Sequence, residues 1–261
     1  METATGATGS KAGLTAAARD VALPGLACAL SGVVVLGLGG RLVMFVSRLL
    51  HPAAVGRLTE NGNRIGEFTV GGTLALVLFG GLLSGLVAAT IWVVLRPWVP
   101  HRWWLVGLGA VAIGGGLLVD GDNRDFAILG DSAPDVFVLL GLVFAFGAAV
   151  AGVDRFLDAR LPREGTVPLV LYGIIALIGA PLVIPGLVGG FINSFAGSTA
   201  LPVWIGIPLW AAGFLTVGWW VVRGRGRVDQ PAWMRTVGAT LALLAFGAGS
   251  FHVVGEVLRI L

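Results

Sequence analysis

Long apolar runs alternate along the chain with short clusters of charged residues, prolines and glycines. A helix that crosses about 30 Å of hydrocarbon at 1.5 Å per residue needs about 20 largely apolar residues. Seven stretches reach or approach that length: residues 21–46, 69–95, 103–119, 134–153, 167–190, 201–222 and 236–258. The third is the shortest, and if it only dips into the bilayer the count falls to six. The pattern predicts an all-α fold, a polytopic transmembrane helix bundle of about seven spans. Residues 21–261 form one membrane domain in this reading and residues 1–20 a flexible cytoplasmic tail, since no long linker or fixed-period repeat divides the chain.

The connections add detail. RLVMFVSRLLH continues the first helix, with Arg41, Met44, Arg48 and His51 at three- and four-residue steps on one face, until Pro52 stops it. The segment VGRLTENGNRIGEF carries the Asn61-Gly62 pair that favours a tight turn, which predicts a short external β-hairpin over residues 55–68. After the third stretch comes DGDNRDFAILGDSAPD. Asp120, Asp122 and Asp131 copy part of a calcium loop's spacing, but Asp125 stands where that loop requires glycine, so no metal is expected. Ser132 with Asp135 fits a capping box, and Pro134 suits a first helical turn.

Composition removes whole classes of function. Hydrophobic residues make up 56% of the chain, charged residues 12%, and mean hydropathy is +0.93, far from a soluble domain. The formal charge is +3, with basic residues beside apolar runs and not in a patch interleaved with aromatics, which argues against nucleic acid as a partner. A single cysteine, Cys28, rules out an intrachain disulfide and reads as a small packing residue. The amino-terminal apolar run lacks a small-residue cleavage site and is expected to stay as an anchor.

Orientation follows from the basic residues. With the amino terminus inside, eleven of seventeen Lys and Arg face the cytoplasm, with Trp98, Trp103, Trp104, Trp219, Trp220 and Trp233 beside them. Four of the remaining six, Arg41, Arg48, Arg57 and Arg64, crowd the first external connection against that rule. The candidate polar site is therefore the outer face: Arg41, Arg48, Asp120, Asp122, Asp125, Asn193, His252 and Glu256. His252 and Glu256 are four apart on one helix face, and Arg41 is expected to pair with Asp120 first and Glu256 second. Pro181 and Pro185 break the fifth stretch, either as a packing kink or as part of a substrate path. Gly81 with Gly85 and Gly186 with Gly190 mark close helix contacts, within the bundle or with a second copy or another membrane subunit.

The motifs Gly40-Arg41-Leu42-Val43-Met44, Ile65-Gly66-Glu67-Phe68-Thr69 and Gly71-Gly72-Thr73, within the first third of the chain, resemble a family of bacterial multi-spanning membrane proteins without known activity. The resemblance implies a bacterial plasma membrane and carries over no catalytic residue. A retinal protein is excluded, because the only lysine, Lys11, lies outside every span.

Three functions stay open. A structural or accessory component, in contact with membrane lipids, is favoured by the absence of any catalytic motif. A transporter or channel for a small polar solute or ion would use the outer face as a vestibule. A membrane enzyme acting on a lipid-linked substrate at the outer interface would use the same carboxylates and His252; no cofactor is implied by any of the three. The orientation predicts that in intact cells, with Cys28 replaced, a cysteine at position 193 is labelled from outside and one at position 224 is protected; the reverse pattern overturns it.

Overall fold

The computed structural model describes residues 3–59, 64–130, 132–162, 168, 170–175, 202–224 and 229–261. The first helix starts at Thr3, inside the segment assigned to a tail, and its membrane-length part, α1, is Gly13–Leu50. It is followed by α2 (Val70–Leu95), α3 (Trp103–Leu117), α4 (Arg124–Leu129), α5 (Ala133–Arg160), α6 (Val203–Gly224) and α7 (Ala232–Ile260). Five of these, α1, α2, α5, α6 and α7, are long and apolar enough to cross a membrane.

Seven spans are not shown among the described residues, and of the expected stretches the third falls short. The third stretch forms α3, an α-helix of 12 residues finished by a 3₁₀ turn of 3, about 22 Å long at helical rise and shorter than a full span. Gly114 to Gly116 end its regular part, since three consecutive glycines hold a helix weakly. The fifth stretch, with Pro181 and Pro185, lies outside the described residues apart from 168 and 170–175, as does Asn193.

Ionisable side chains fall at two depths. In α1 residues 21–40 carry none, and in α5 residues 136–153 carry none; at helical rise these intervals are about 30 and 27 Å. They match the hydrocarbon thickness, so Asp20 and Asp154 mark one boundary and Arg41 and Asp135 the other. Arg96 just beyond α2 belongs to the first level and His252 on α7 to the second. Between the levels, large apolar side chains point outward, among them Phe79, Phe137, Phe214 and Phe251. Water would penalise such a surface heavily; lipid does not.

Close backbone approach joins α1 to α2. Both helices widen into π-helical turns where they meet, Gly32–Leu38 and Leu76–Leu83. A Cβ added at Gly85 would lie 2.5 Å from the Cys28 carbonyl oxygen, and one at Gly32 would strike the Gly81 carbonyl. The expected Gly81 and Gly85 contact is therefore an intramolecular one. Gly147 on α5 meets Ala110 and Val106 of α3 in the same manner, at 2.6 Å. Trp98 wedges the remaining helices: its ring lies against Gly238 of α7, and its Nε1 donates to Thr216 Oγ1 of α6 at 2.8 Å.

The hairpin expected after α1 is not shown, and its Asn61-Gly62 turn lies outside the described residues. Among the described residues the connection forms no β-strand, only one antiparallel bridge, Leu58 with Arg64, supported by Gly56 N–H to Ile65 O and Ile65 N–H to Arg57 O, both 2.9 Å. A two-stranded ribbon is marginal without a sheet to join, and the loop is held by side chains instead. Arg48 Nη1 donates to the Gly66 carbonyl at 3.1 Å and Arg57 Nη1 to that of Ile128 at 3.2 Å. Two of the four basic residues that break the orientation rule, Arg48 and Arg57, thus act as loop clasps. Ser132 makes no side-chain cap to α5, contrary to the capping-box expectation, and Asp135 turns to His51.

Gly85→Ala should lower the thermal-unfolding midpoint in detergent by an overpacking cost of about 1–3 kcal/mol, whereas Gly71→Ala, whose Cβ would meet nothing, should not. Equal midpoints for the two variants would remove close approach as the reason for glycine at position 85.

Candidate functional site

The boundary marked by Asp20 and Asp154 holds the densest polar cluster among the described residues. Four helices place its members. Arg96 is the first residue past α2, which stops before Pro97. Asp154 and Asp158 are one turn apart near the end of α5, and Arg19 and Asp20 precede the apolar interval of α1. Arg223 closes the group from the last turn of α6.

Arg96 touches three carboxylates at once: Nε donates to Asp154 Oδ2 at 2.9 Å, Nη1 to Asp20 Oδ1 at 3.3 Å and Nη2 to Asp158 Oδ1 at 3.4 Å. Two further arginines flank it. Arg223 Nη1 donates to Asp20 Oδ2 at 2.5 Å and Arg19 Nη1 to Asp158 Oδ1 at 2.6 Å. Arg19 also donates to the carbonyls of Asp158 and Leu161, covering acceptors left open at the end of α5. Three arginines thus neutralise three aspartates. Burial alone would lower the Arg96 pKa, but Asp154, then Asp20 and Asp158, outweigh it and hold it above its ordinary value, so the guanidinium stays charged.

Asp154 is held through one oxygen alone, Oδ2. It is fully buried (0% exposed) and shares Arg96 with two other carboxylates; His101 Nε2 lies 3.4 Å from its Oδ2. Its Oδ1 is buried without a hydrogen-bond partner. The His101 ring packs edge-on to Trp92 at 5.5 Å, which keeps the imidazole beside Asp154.

These side chains line a cavity of about 570 Å³, together with Arg155, Trp219, Trp220 and Gln230. Trp220 Nε1 is also buried and unpartnered. The lining carries balanced charge, with Asp20, Asp154 and Asp158 against Arg96, Arg155 and Arg223. A second, apolar groove of about 530 Å³ runs between α1, α2, α3 and α5 from Cys28 to Met44, and its exposed lining residues Met44, Val87 and Leu117 open it toward lipid.

The residues proposed from sequence lie mostly at the opposite boundary, and they fall into separate groups. Arg41 does not pair with Asp120 or Glu256. Its Nη1 contacts Met44 Sδ at 3.6 Å, and its guanidinium lies 5.7 Å from the centre of the Phe68 ring. The loop that follows α1 brings Phe68 over it, so an aromatic face replaces the expected carboxylate. Glu256 instead accepts from Gly121 N–H at 2.9 Å and from Arg259 Nη1 at 3.3 Å, with His252 Nδ1 at 3.7 Å. Asp120 Oδ1 accepts from Asp122 N–H at 3.0 Å, a local turn contact, and Asp125 N–H donates to the capping Asn123. His51 Nε2 and Asp135 Oδ2 form a further pair at 2.5 Å.

Asp20, Arg96, His101, Asp154, Asp158 and Arg223 were not singled out by sequence reasoning. A signal was present: each stands at the same end of an apolar run, and Asp154 and Asp158 are one helical turn apart. Arginines there serve orientation arguments, which hides their role as partners.

The fold and this site define a multi-pass helical membrane protein with an ion-paired cavity at one boundary. No family model, curated protein or solved structure matches the chain, so the activity has to be argued from the cavity's own chemistry.

Arg96→Met would leave Asp154 uncompensated and cost about 3–5 kcal/mol, seen as a lower unfolding midpoint. Adding Asp154→Asn should recover part of that loss; two independent, additive effects would show that the residues do not act together.

Proposed function

We propose that the protein is an accessory, non-conducting component of a bacterial plasma membrane, with its amino terminus in the cytoplasm, that holds a polar ligand at the Arg96 boundary. The observation that carries this is the depth of the polar groups. The cavity is polar at the boundary only, and the apolar intervals of α1 and α5 above it contain no ionisable side chain. A coupled transporter places such groups near the midplane, so a conduit has little support here. An enzyme at the opposite interface has less, because Arg41, Asp120 and Glu256 keep separate partners.

Orientation is supported by the same end. Arg96, Arg102, Arg155, Arg223 and Arg235 gather there with Trp98, Trp219 and Trp220, as cytoplasmic boundaries do. Membrane lipids are the partners of the outward apolar faces and of the groove between α1 and α5. The bacterial setting rests on the resemblance of the first third of the chain.

Reconstitution into proteoliposomes tests the proposal. Flux of protons, sodium, potassium and chloride should equal that of protein-free vesicles at matched lipid composition. A saturable flux, or one abolished by Asp154→Asn, would replace the accessory function with transport.

A further inference from the structure

We infer that the apolar groove between α1, α2, α3 and α5 holds one chain of an anionic glycerophospholipid from the leaflet on the Arg41 side, with the lipid phosphate on the Arg41 guanidinium. This rests on the groove facing lipid and goes further by naming the lipid. It is independent of the Arg96 cavity.

The tail end follows from how the groove is walled. The lining is apolar and lies between the two polar levels, and its one hydroxyl, on Ser84, is already given to the Phe79 carbonyl. Met44, Val87, Leu117 and Leu118 are exposed along its edge, whereas Trp92, Leu95 and Val106 at the far end are buried. Val87 stands nine positions before Arg96, about 13 Å at helical rise and close to the middle of a layer about 30 Å thick. The groove is therefore open over the half next to Arg41 and closed over the other. A hydrocarbon chain enters it from the Arg41 side.

Volume decides between a chain and a helix. The groove encloses about 530 Å³. A helix 10–12 Å across, laid along the about 24 Å from Cys28 to Met44, takes up on the order of 2,000 Å³, so a helix of a second copy would lie over the groove and not in it. At about 30 Å³ for a group the size of a water molecule, the groove takes roughly 18 methylenes, which is one lipid chain.

The headgroup follows from Arg41, which sits over the open end. Its neighbours Gly40, Val43 and Met44 line the groove, and a Cβ added at Gly72, one turn before the lining Leu76, would lie 2.7 Å from its Nη2. A guanidinium has five donors, yet this one has only the weak acceptor Met44 Sδ at 3.6 Å and the Phe68 ring at 5.7 Å. Nε is enclosed, so Nη1 and Nη2 are the donors on offer, and a phosphate takes two such bonds in parallel. Among the described residues Arg41, Arg48 and Arg57 have no carboxylate partner, and the last two donate to loop carbonyls. Asp135 and Glu256, acids of the same level, are engaged with His51 and with Gly121 and Arg259. The arginines that break the orientation rule thus leave positive charge unneutralised at this boundary. It attracts a headgroup of net negative charge and repels the ammonium of a zwitterionic one.

The test is native mass spectrometry of the full-length protein released from nanodiscs that contain equal amounts of phosphatidylglycerol, phosphatidylethanolamine and phosphatidylcholine. One phosphatidylglycerol should stay bound per chain, in preference to either zwitterionic lipid by about fivefold or more, the scale of one exposed charge pair. Arg41→Gln should remove most of that preference. Gly114→Leu, whose added side chain starts in open space on the groove wall, should lower retention of all three lipids. Arg235→Gln, an exposed arginine at the opposite boundary, should change neither. Should Gly114→Leu fail to fold, the half-buried Arg41 variant decides by itself. Equal retention of the three lipids, a preference that survives Arg41→Gln, or no retained lipid overturns the site. A dimer that Gly114→Leu turns into a monomer gives the groove to a second copy and overturns it as well. Loss of the lipid site with vesicles that remain impermeable leaves the non-conducting component in place, whereas flux overturns that component whatever lipid is retained.

Discussion

A guanidinium at the edge of hydrocarbon has to find water, headgroups or carboxylates, and Arg96 finds three carboxylates. That requirement organises one end of the molecule. Asp20 comes from α1, Asp154 and Asp158 from α5, and Arg223 enters from α6 by way of Asp20. The helices can be drawn together there because the charges cancel within the group. Removing any member would leave a partner charged in a place that tolerates charge poorly, so the four helix ends depend on one another.

Away from that end, the bundle is held by contact and not by charge. In lipid, apolar surface gains little by leaving its surroundings, and association relies on how closely backbones can approach. Glycines at 32, 81 and 85 let α1 and α2 touch through carbonyl groups, and Gly147 does the same for α5 against α3. The apolar intervals of α1 and α5 set the thickness between the two polar levels. Close packing in the middle and ion pairing at one rim are therefore complementary ways of satisfying the same solvent.

The two polar levels differ in kind. At the Arg96 level the groups form one connected network around a cavity. At the other level His51 with Asp135, Glu256 with Gly121 and Arg259, and Arg41 with Phe68 are separate local solutions. Arg48 and Arg57 there hold loop carbonyls. Two arginines of a basic cluster that looks functional when counted along the chain anchor a loop, and the connected polar network sits where arginines looked routine.

Sequence alone determined the helical membrane class and marked Gly81 with Gly85 as a face for close contact, because these depend on neighbours within a few turns; that α1 meets that face was decided by the fold. Run length reports hydrocarbon thickness, and four-residue glycine spacing reports a face that can approach another backbone. It left open whether the third stretch spans, since run length could not reveal that α3 stops after Leu117. Of the expected hairpin, one antiparallel bridge, Leu58 with Arg64, is present among the described residues. The partners of Arg96 were decided only in three dimensions: Asp154 is 58 positions away, Asp20 is 76, and Arg223 reaches Asp20 across 203. Each charge's depth is readable from its place in an apolar run. Which charge stands opposite at that depth depends on how the helices are arranged around one another, and periodicity along a single helix contains no record of its neighbours.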